Sequence, residues 1–77
     1  MKVVIQRVKS SKVEVNNKVI GQIDLGILVL VGIALNDEKT DAEWISNKVL
    51  NLRIFDDENG IMNKSLIDVG GNILVIS

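Results

Sequence analysis

The run Ile27-Leu28-Val29-Leu30-Val31-Gly32-Ile33-Ala34-Leu35 constrains this chain more than any other feature. It holds no polar side chain with which to face water on either side. Periodicity alone fits a buried helix as well as a strand. Its β-branched residues and the flanking Gly26 favour a strand. A strand that is apolar on both faces belongs in the middle of a sheet covered on both sides. The run is also far shorter than the ~20 apolar residues a membrane-spanning helix needs, and nothing at the start of the chain has the form of a signal peptide. A soluble, cytoplasmic protein without a membrane partner is expected.

The remaining elements assemble around that strand. Val3 to Val8 reads as a strand. Lys12-Val13-Glu14-Val15 alternates polar and apolar, the period of a half-buried strand. Asn16-Asn17 is a turn signal, because Asn tolerates positive φ. A strict two-residue turn would oppose Val15 to Lys18, so a longer loop is expected before Lys18-Val19-Ile20 returns. Gly21 to Gly26 reads as a short bent segment. Thr40-Asp41-Ala42-Glu43 matches a capping box, and Ala42, Ile45, Val49 and Leu52 follow at helical spacing. One main helix is therefore predicted over about residues 41–52. Leu52 to Phe55 reads as extended, Asp56 to Gly60 as a turn, and Ile61-Met62 as the return. Asn63 to Ile67 is ambiguous. Asp68 to Asn72 is a second turn, and Ile73 to Ser77 a final apolar strand. Taken together these predict an α+β fold, a curled and mostly antiparallel sheet with one main helix, in a single domain over residues 1–77.

An apolar strand at the chain's end has two readings. It is either a natural terminal strand buried in the sheet or a sign that the chain is the first part of a longer domain.

Composition narrows the chemistry more than it suggests any. The chain has no cysteine, no histidine and no proline, and its net charge is -1. Without cysteine there are no disulfides or thiolate ligands, which fits a reducing compartment. Without histidine or cysteine, a Ser-His-Asp or Cys-His arrangement cannot form within the chain. No global field draws it to a phosphate backbone.

Asp56, Asp57 and Glu58 lack the spacing of a calcium loop and read as a solvated turn. Gly70-Gly71 could form an anion-binding nest but lacks the context of a phosphate loop, so a tight turn is the simpler reading. Trp44 could stack on a base, or pack at the helix margin. Ser-Lys pairings are open in principle, and nothing in the spacing selects one. No metal site and no cofactor are expected.

Beyond this, Met1-Lys2-Val3-Val4-Ile5-Gln6-Arg7-Val8 resembles the opening of the D-aminoacyl-tRNA deacylases, once called D-tyrosyl-tRNA deacylases. Gly26 to Ile33 is similar to their central strand. Lys48-Val49-Leu50-Asn51-Leu52-Arg53-Ile54-Phe55, then Gly60-Ile61-Met62-Asn63-Lys64-Ser65-Leu66, then Asp68-Val69-Gly70-Gly71 and a strand ending in Ser77, follow in family order.

The resemblance implies the fold of that family and a chain about twice this length. It implies hydrolysis of the ester between a D-amino acid, or mischarged glycine, and tRNA, as chiral proofreading. It also implies a homodimer with active sites at the interface, where a Gly and cis-Pro pair of one subunit enters the pocket of the other and refuses L-amino acids. Position by position, Ser77 matches the first residue of the catalytic signature, whose following Gln, aromatic and Thr are absent here. Arg7 matches an arginine implicated in fixing the Gly-cis-Pro loop on the substrate side, a motif also absent here. Met62, Asn63 and Lys64 match positions near the adenosine pocket. The plainer readings are a strand-terminal serine and a strand-end surface cation. By this resemblance the chain is the N-terminal portion of a longer deacylase domain and is inactive alone. The competing expectations are a non-catalytic β-rich dimerisation or structural module and a small RNA-binding domain.

Overall fold

In a computed structural model describing residues 1–77, the apolar run supplies β4 (Gly26–Gly32), the middle strand of three. On one side lies β1 (Lys2–Val8), antiparallel from Lys2↔Gly32 to Val8↔Gly26. On the other lies β7 (Asn72–Ile76), parallel from Gly26↔Asn72 to Leu30↔Ile76. A parallel pair needs a crossover. Here it consists of α1 (Lys39–Asn51), the small hairpin β5 (Phe55–Asp56) and β6 (Met62–Lys64), and the one-turn helix α2 (Leu66–Val69). The hairpin β2 (Ser11–Val15) and β3 (Lys18–Ile23) separates β1 from β4. The fold is α+β, with mostly antiparallel ladders, sheets that do not close, and one main helix.

Gly26 makes the start of the parallel pair possible. A Cβ at that position would lie 1.9 Å from the Asn72 carbonyl oxygen, so no residue with a side chain fits without moving β7.

One face of the three-stranded sheet carries the core. Ile27 and Val29 are buried there with Val49 of α1, Phe55 of β5 and Leu66 of α2, and Val3, Ile5, Ile45 and Ile73 pack around them. The opposite face is open: Val4 is 62% exposed and Leu30 43%. The expectation that β4 is covered on both sides is therefore met on one side only. This chain supplies a single layer of helices, and the β2–β3 hairpin reaches the second face only at its edge. There a Cβ on Gly21 would meet the Leu74 side chain at 3.0 Å. The result is a plate 15 Å thick with a Cα radius of gyration of 13.8 Å. A compact domain of this length would have a radius of about 11.5 Å. Only 7 of 77 residues are buried, so the chain leaves much of its apolar surface facing water.

The structure departs from the sequence reading at the helix start, the asparagine turn, Trp44 and residues 21–23, which continue β3, and it resolves the stretch left ambiguous. The helix starts two residues before the predicted 41 and ends at Asn51. Its N-cap is Glu38, whose N–H donates to the Asp41 carboxylate at 2.9 Å, so Thr40 and Glu43 are not the capping pair. The preceding turn closes at Asp37, whose N–H donates to the Ala34 carbonyl, and the helix begins directly after it.

The β2–β3 connection is the strict two-residue turn, with Asn16 at φ 51° and Asn17 at φ 64°. Val15 does oppose Lys18, at little cost because Val15 is half exposed. A bulge beside Val13 and Glu14 absorbs the extra residue.

The ambiguous Asn63 to Ile67 stretch divides between β6 and α2. In α2 the Ser65 hydroxyl accepts the Asp68 N–H at 3.2 Å, while the Asp68 carboxylate accepts the Ser65 N–H at 2.9 Å. Trp44 does not pack at the helix margin. It is 63% exposed, with the Lys48 ammonium 5.1 Å from its ring centre.

Candidate functional site

Arg7 sits near the end of β1, opposite Ile27, on the face that carries the core. Its guanidinium donates through Nη1 to the Ile54 carbonyl at 2.8 Å. The arginine is thus fixed to the segment leaving α1, which sets its direction over a cleft of about 460 Å³. That cleft is lined by Arg7, Lys9, Leu25, Phe55, Asp56 and Val69, among others. Guanidinium N–H groups not used on Ile54 remain available to a carbonyl or anion.

Ser77 follows the last residue of β7 and is exposed. It borders a groove of about 250 Å³ with Val13, Ile20, Gly21, Leu74, Val75 and Ile76. No titratable side chain lines this groove, so the chain provides no general base for the hydroxyl there.

The sheet register places the two residues relative to each other. Arg7 is level with Ile27 and Ile73, whereas Ile76 is level with Leu30 and Val4, and Ser77 lies one residue further. At ~3.4 Å per residue and ~4.8 Å per strand, they stand on the order of 17 Å apart, at opposite corners of the sheet. The structure does not bring Ser77 and Arg7 into one site.

Met62, Asn63 and Lys64 form β6, and Lys64 pairs with Phe55. They belong to Arg7's end of the molecule. Asn63 and Lys64 are engaged with the acidic turn: Asn63 Nδ2 donates to Asp57 at 3.2 Å, and Lys64 lies 3.6 Å from Glu58. Asp57 also accepts the N–H groups of Asn59 and Ile61. The Ile61 N–H first, then Asn63 and Asn59, hold its carboxyl below the usual aspartate range. The turn reading of Asp56–Glu58 is thus explained by backbone chemistry.

Gly70 and Gly71 are occupied in the same sense. Gly70 caps α2 at φ 64°, and the two N–H groups donate to Ile67 and Leu66 carbonyls, which leaves no nest for an anion. Sequence reasoning missed the Arg7–Ile54 bond, which joins residues 47 positions apart. No local pattern signals such a bond.

The family described as D-Tyr-tRNA(Tyr) deacylase matches residues 4–77. The chain belongs to that family. Among curated proteins it is 60% identical over 77 residues to the D-aminoacyl-tRNA deacylase of Clostridium tetani, covering 100% of this chain and 52% of that protein. Against the D-aminoacyl-tRNA deacylase of Thermosipho melanesiensis it is 56% identical, covering 100% of this chain and 51% of the relative. The chain therefore spans about half the length of these deacylase relatives.

Among solved structures, the c-Myc DNA Unwinding Element Binding Protein superposes with a TM-score of 0.92 at 43% identity, over 97% of this chain and 51% of that one. The α+β arrangement seen here is thus shared with a solved relative. No helix is long and apolar enough to cross a membrane.

Proposed function

We propose that this chain forms the N-terminal portion of a D-aminoacyl-tRNA deacylase, a hydrolase that cleaves the ester between a D-amino acid, or mischarged glycine, and tRNA. The single observation that carries the reading is the family match over residues 4–77, at 53–60% identity to proteins of that name. In this reading the protein works in the cytoplasm, on aminoacyl-tRNA.

Two features of the structure support a site built from more than this chain. Arg7 and Ser77 occupy opposite corners of one sheet, so each needs groups from elsewhere to reach a common substrate. The open sheet face with Val4 and Leu30 supplies apolar surface against which such groups can pack. In this reading Arg7, held by Ile54, orients a loop at one pocket, and Ser77 contributes its hydroxyl and backbone N–H at another. A homodimer with sites at the subunit interface satisfies both requirements.

The chemistry needs no histidine or cysteine. Water adds to the ester carbonyl, fixed backbone donors stabilise the developing oxyanion, and the ribose hydroxyl leaves with the proton. Preorganised N–H groups in a water-poor pocket lower such barriers without any titrating side chain.

The test is a deacylation assay on D-aminoacyl- and L-aminoacyl-tRNA, using the full-length protein and residues 1–77 alone. Release of the D-amino acid only, by the full-length protein only, is expected. A full-length protein that leaves D-aminoacyl-tRNA intact would sink the assignment.

A further inference from the structure

Only Asn59 among the asparagines of the chain precedes a glycine, Gly60; the others stand before Asn, Lys, Asp, Leu or Ile. A side-chain amide is attacked most readily by the next backbone nitrogen when that next residue has no side chain to obstruct the approach. Asn59 and Gly60 are both exposed, in the turn between β5 and β6.

The turn leaves this pair unencumbered. Gly60 sits at φ 76°, and a Cβ built on it would meet nothing within 4 Å, so no neighbour crowds it. The Asn59 carboxamide hydrogen-bonds no other group of the chain. By contrast, Asn63 Nδ2 donates to Asp57 at 3.2 Å and Asn51 Nδ2 to the Asn47 carbonyl at 2.7 Å. The Gly60 N–H does donate to the Asp57 carbonyl at 3.1 Å. That bond occupies the nitrogen that must attack, but it lies in an exposed turn, where local opening requires little free energy.

We propose that Asn59-Gly60 is a self-modification site, at which the β5–β6 turn converts through a succinimide to aspartate and isoaspartate. The Gly60 nitrogen loses its proton to solvent and bonds to Cγ of Asn59; ammonia leaves, taking a proton from water. Water then opens the ring. Attack at Cγ restores the ordinary backbone with an aspartate side chain. Attack at the main-chain carbonyl gives isoaspartate, whose backbone runs through Cβ and Cγ.

Both products add negative charge to a stretch that already holds Asp56, Asp57 and Glu58, with Lys64 as its paired cation, 3.6 Å from Glu58. Isoaspartate also lengthens a turn that is closed by the Asp57 N–H on the Ile61 carbonyl at 2.8 Å. β5 and β6 pair only at Phe55↔Lys64 and Asp56↔Met62, so little register resists the added atom. The modified turn loosens β6 and leaves the three-stranded sheet intact.

The experiment ages the full-length protein at neutral to mildly alkaline pH and follows each asparagine by peptide mapping. Conversion at Asn59 is expected to run at least about tenfold faster than at Asn36, Asn63 or any other asparagine, giving separable aspartyl and isoaspartyl peptides. Asn59→Gln, whose longer side chain closes a ring less readily, is expected to abolish it. Amide hydrogen exchange on the aged protein, separated by charge from the fresh form, is expected to quicken at the Asp57 and Ile61 N–H groups and not in β1, β4 or β7. An Asn59 that converts no faster than the other asparagines overturns the proposal. So does undiminished conversion of that peptide in N59Q, or an aged turn that exchanges at the fresh rate.

Discussion

The Arg7 guanidinium is both a structural clamp and a candidate functional group, and kinetics can separate the two roles. Arg7→Leu removes the bond to the Ile54 carbonyl at an exposed site, where the loss of stability is about 1 kcal/mol. If Arg7 also orients a pocket loop, the full-length variant should lose at least about tenfold in deacylation rate, more than that stability loss explains. Ser77→Ala is expected to reduce kcat by about 10- to 100-fold with little change in KM, the pattern of a group acting in the transition state. Unchanged kinetics in both variants would leave the two residues structural. Gly26 shows the opposite case, a residue whose value lies in what it lacks. With only 1.9 Å between the place a methyl group would occupy and the Asn72 carbonyl oxygen, Gly26→Ala should cost about 3 kcal/mol or more, read as a collapse of the denaturant midpoint.

Among elements, turns and caps decide more than propensity does. The β2–β3 turn holds two consecutive asparagines at positive φ, where a β-branched residue is strained by ~1–2 kcal/mol. Asn17→Gly should therefore raise the melting midpoint slightly and Asn17→Val should lower it, without affecting β1, β4 or β7. The β5–β6 turn and α2 rely on carboxylates that accept backbone N–H groups, Asp57 from Ile61 and Asp68 from Ser65. Both are held below the ordinary aspartate value of 3.8. Because the folded-state pKa is the depressed one, their stabilisation is present above that value and is lost as pH falls through the folded pKa. Melting measured down to about pH 2 should show an acid loss that is shallower in Asp57→Asn, which starts from a lower stability at neutral pH.

At the scale of the molecule, the dominant fact is how little is buried. With 7 buried residues and an open face bearing Val4 and Leu30, residues 1–77 alone should self-associate. The edges at β1 and β7 lack hydrogen-bonded neighbours on their outer sides, and exposed apolar edges pair readily. Sedimentation at increasing concentration should show growing mass, and a hydrophobic dye should bind. A cooperative melt of a stable monomer would contradict this. The same openness explains why the two candidate residues are far apart: a one-sided plate can present groups at its corners but cannot enclose them.

Much of this is legible in the residues themselves. The apolar run from Ile27 marks the middle strand, the stripe Ile45–Val49 marks the helix, and blocks such as Lys48 to Phe55 point to the family. These signals are local, carried by periodicity or by short contiguous patterns. Ser65 to Asp68 is equally local, a capping pair that the ambiguous stretch around it conceals. The cap at Glu38, the strict asparagine turn and the open second face depend on neighbours: the turn closed by Asp37, the absence of a core behind Val15, and the single layer of helices. The bond from Arg7 to Ile54 is decided by the tertiary structure alone. It joins residues 47 positions apart, and the chain brings them together only when the crossover folds back over the sheet.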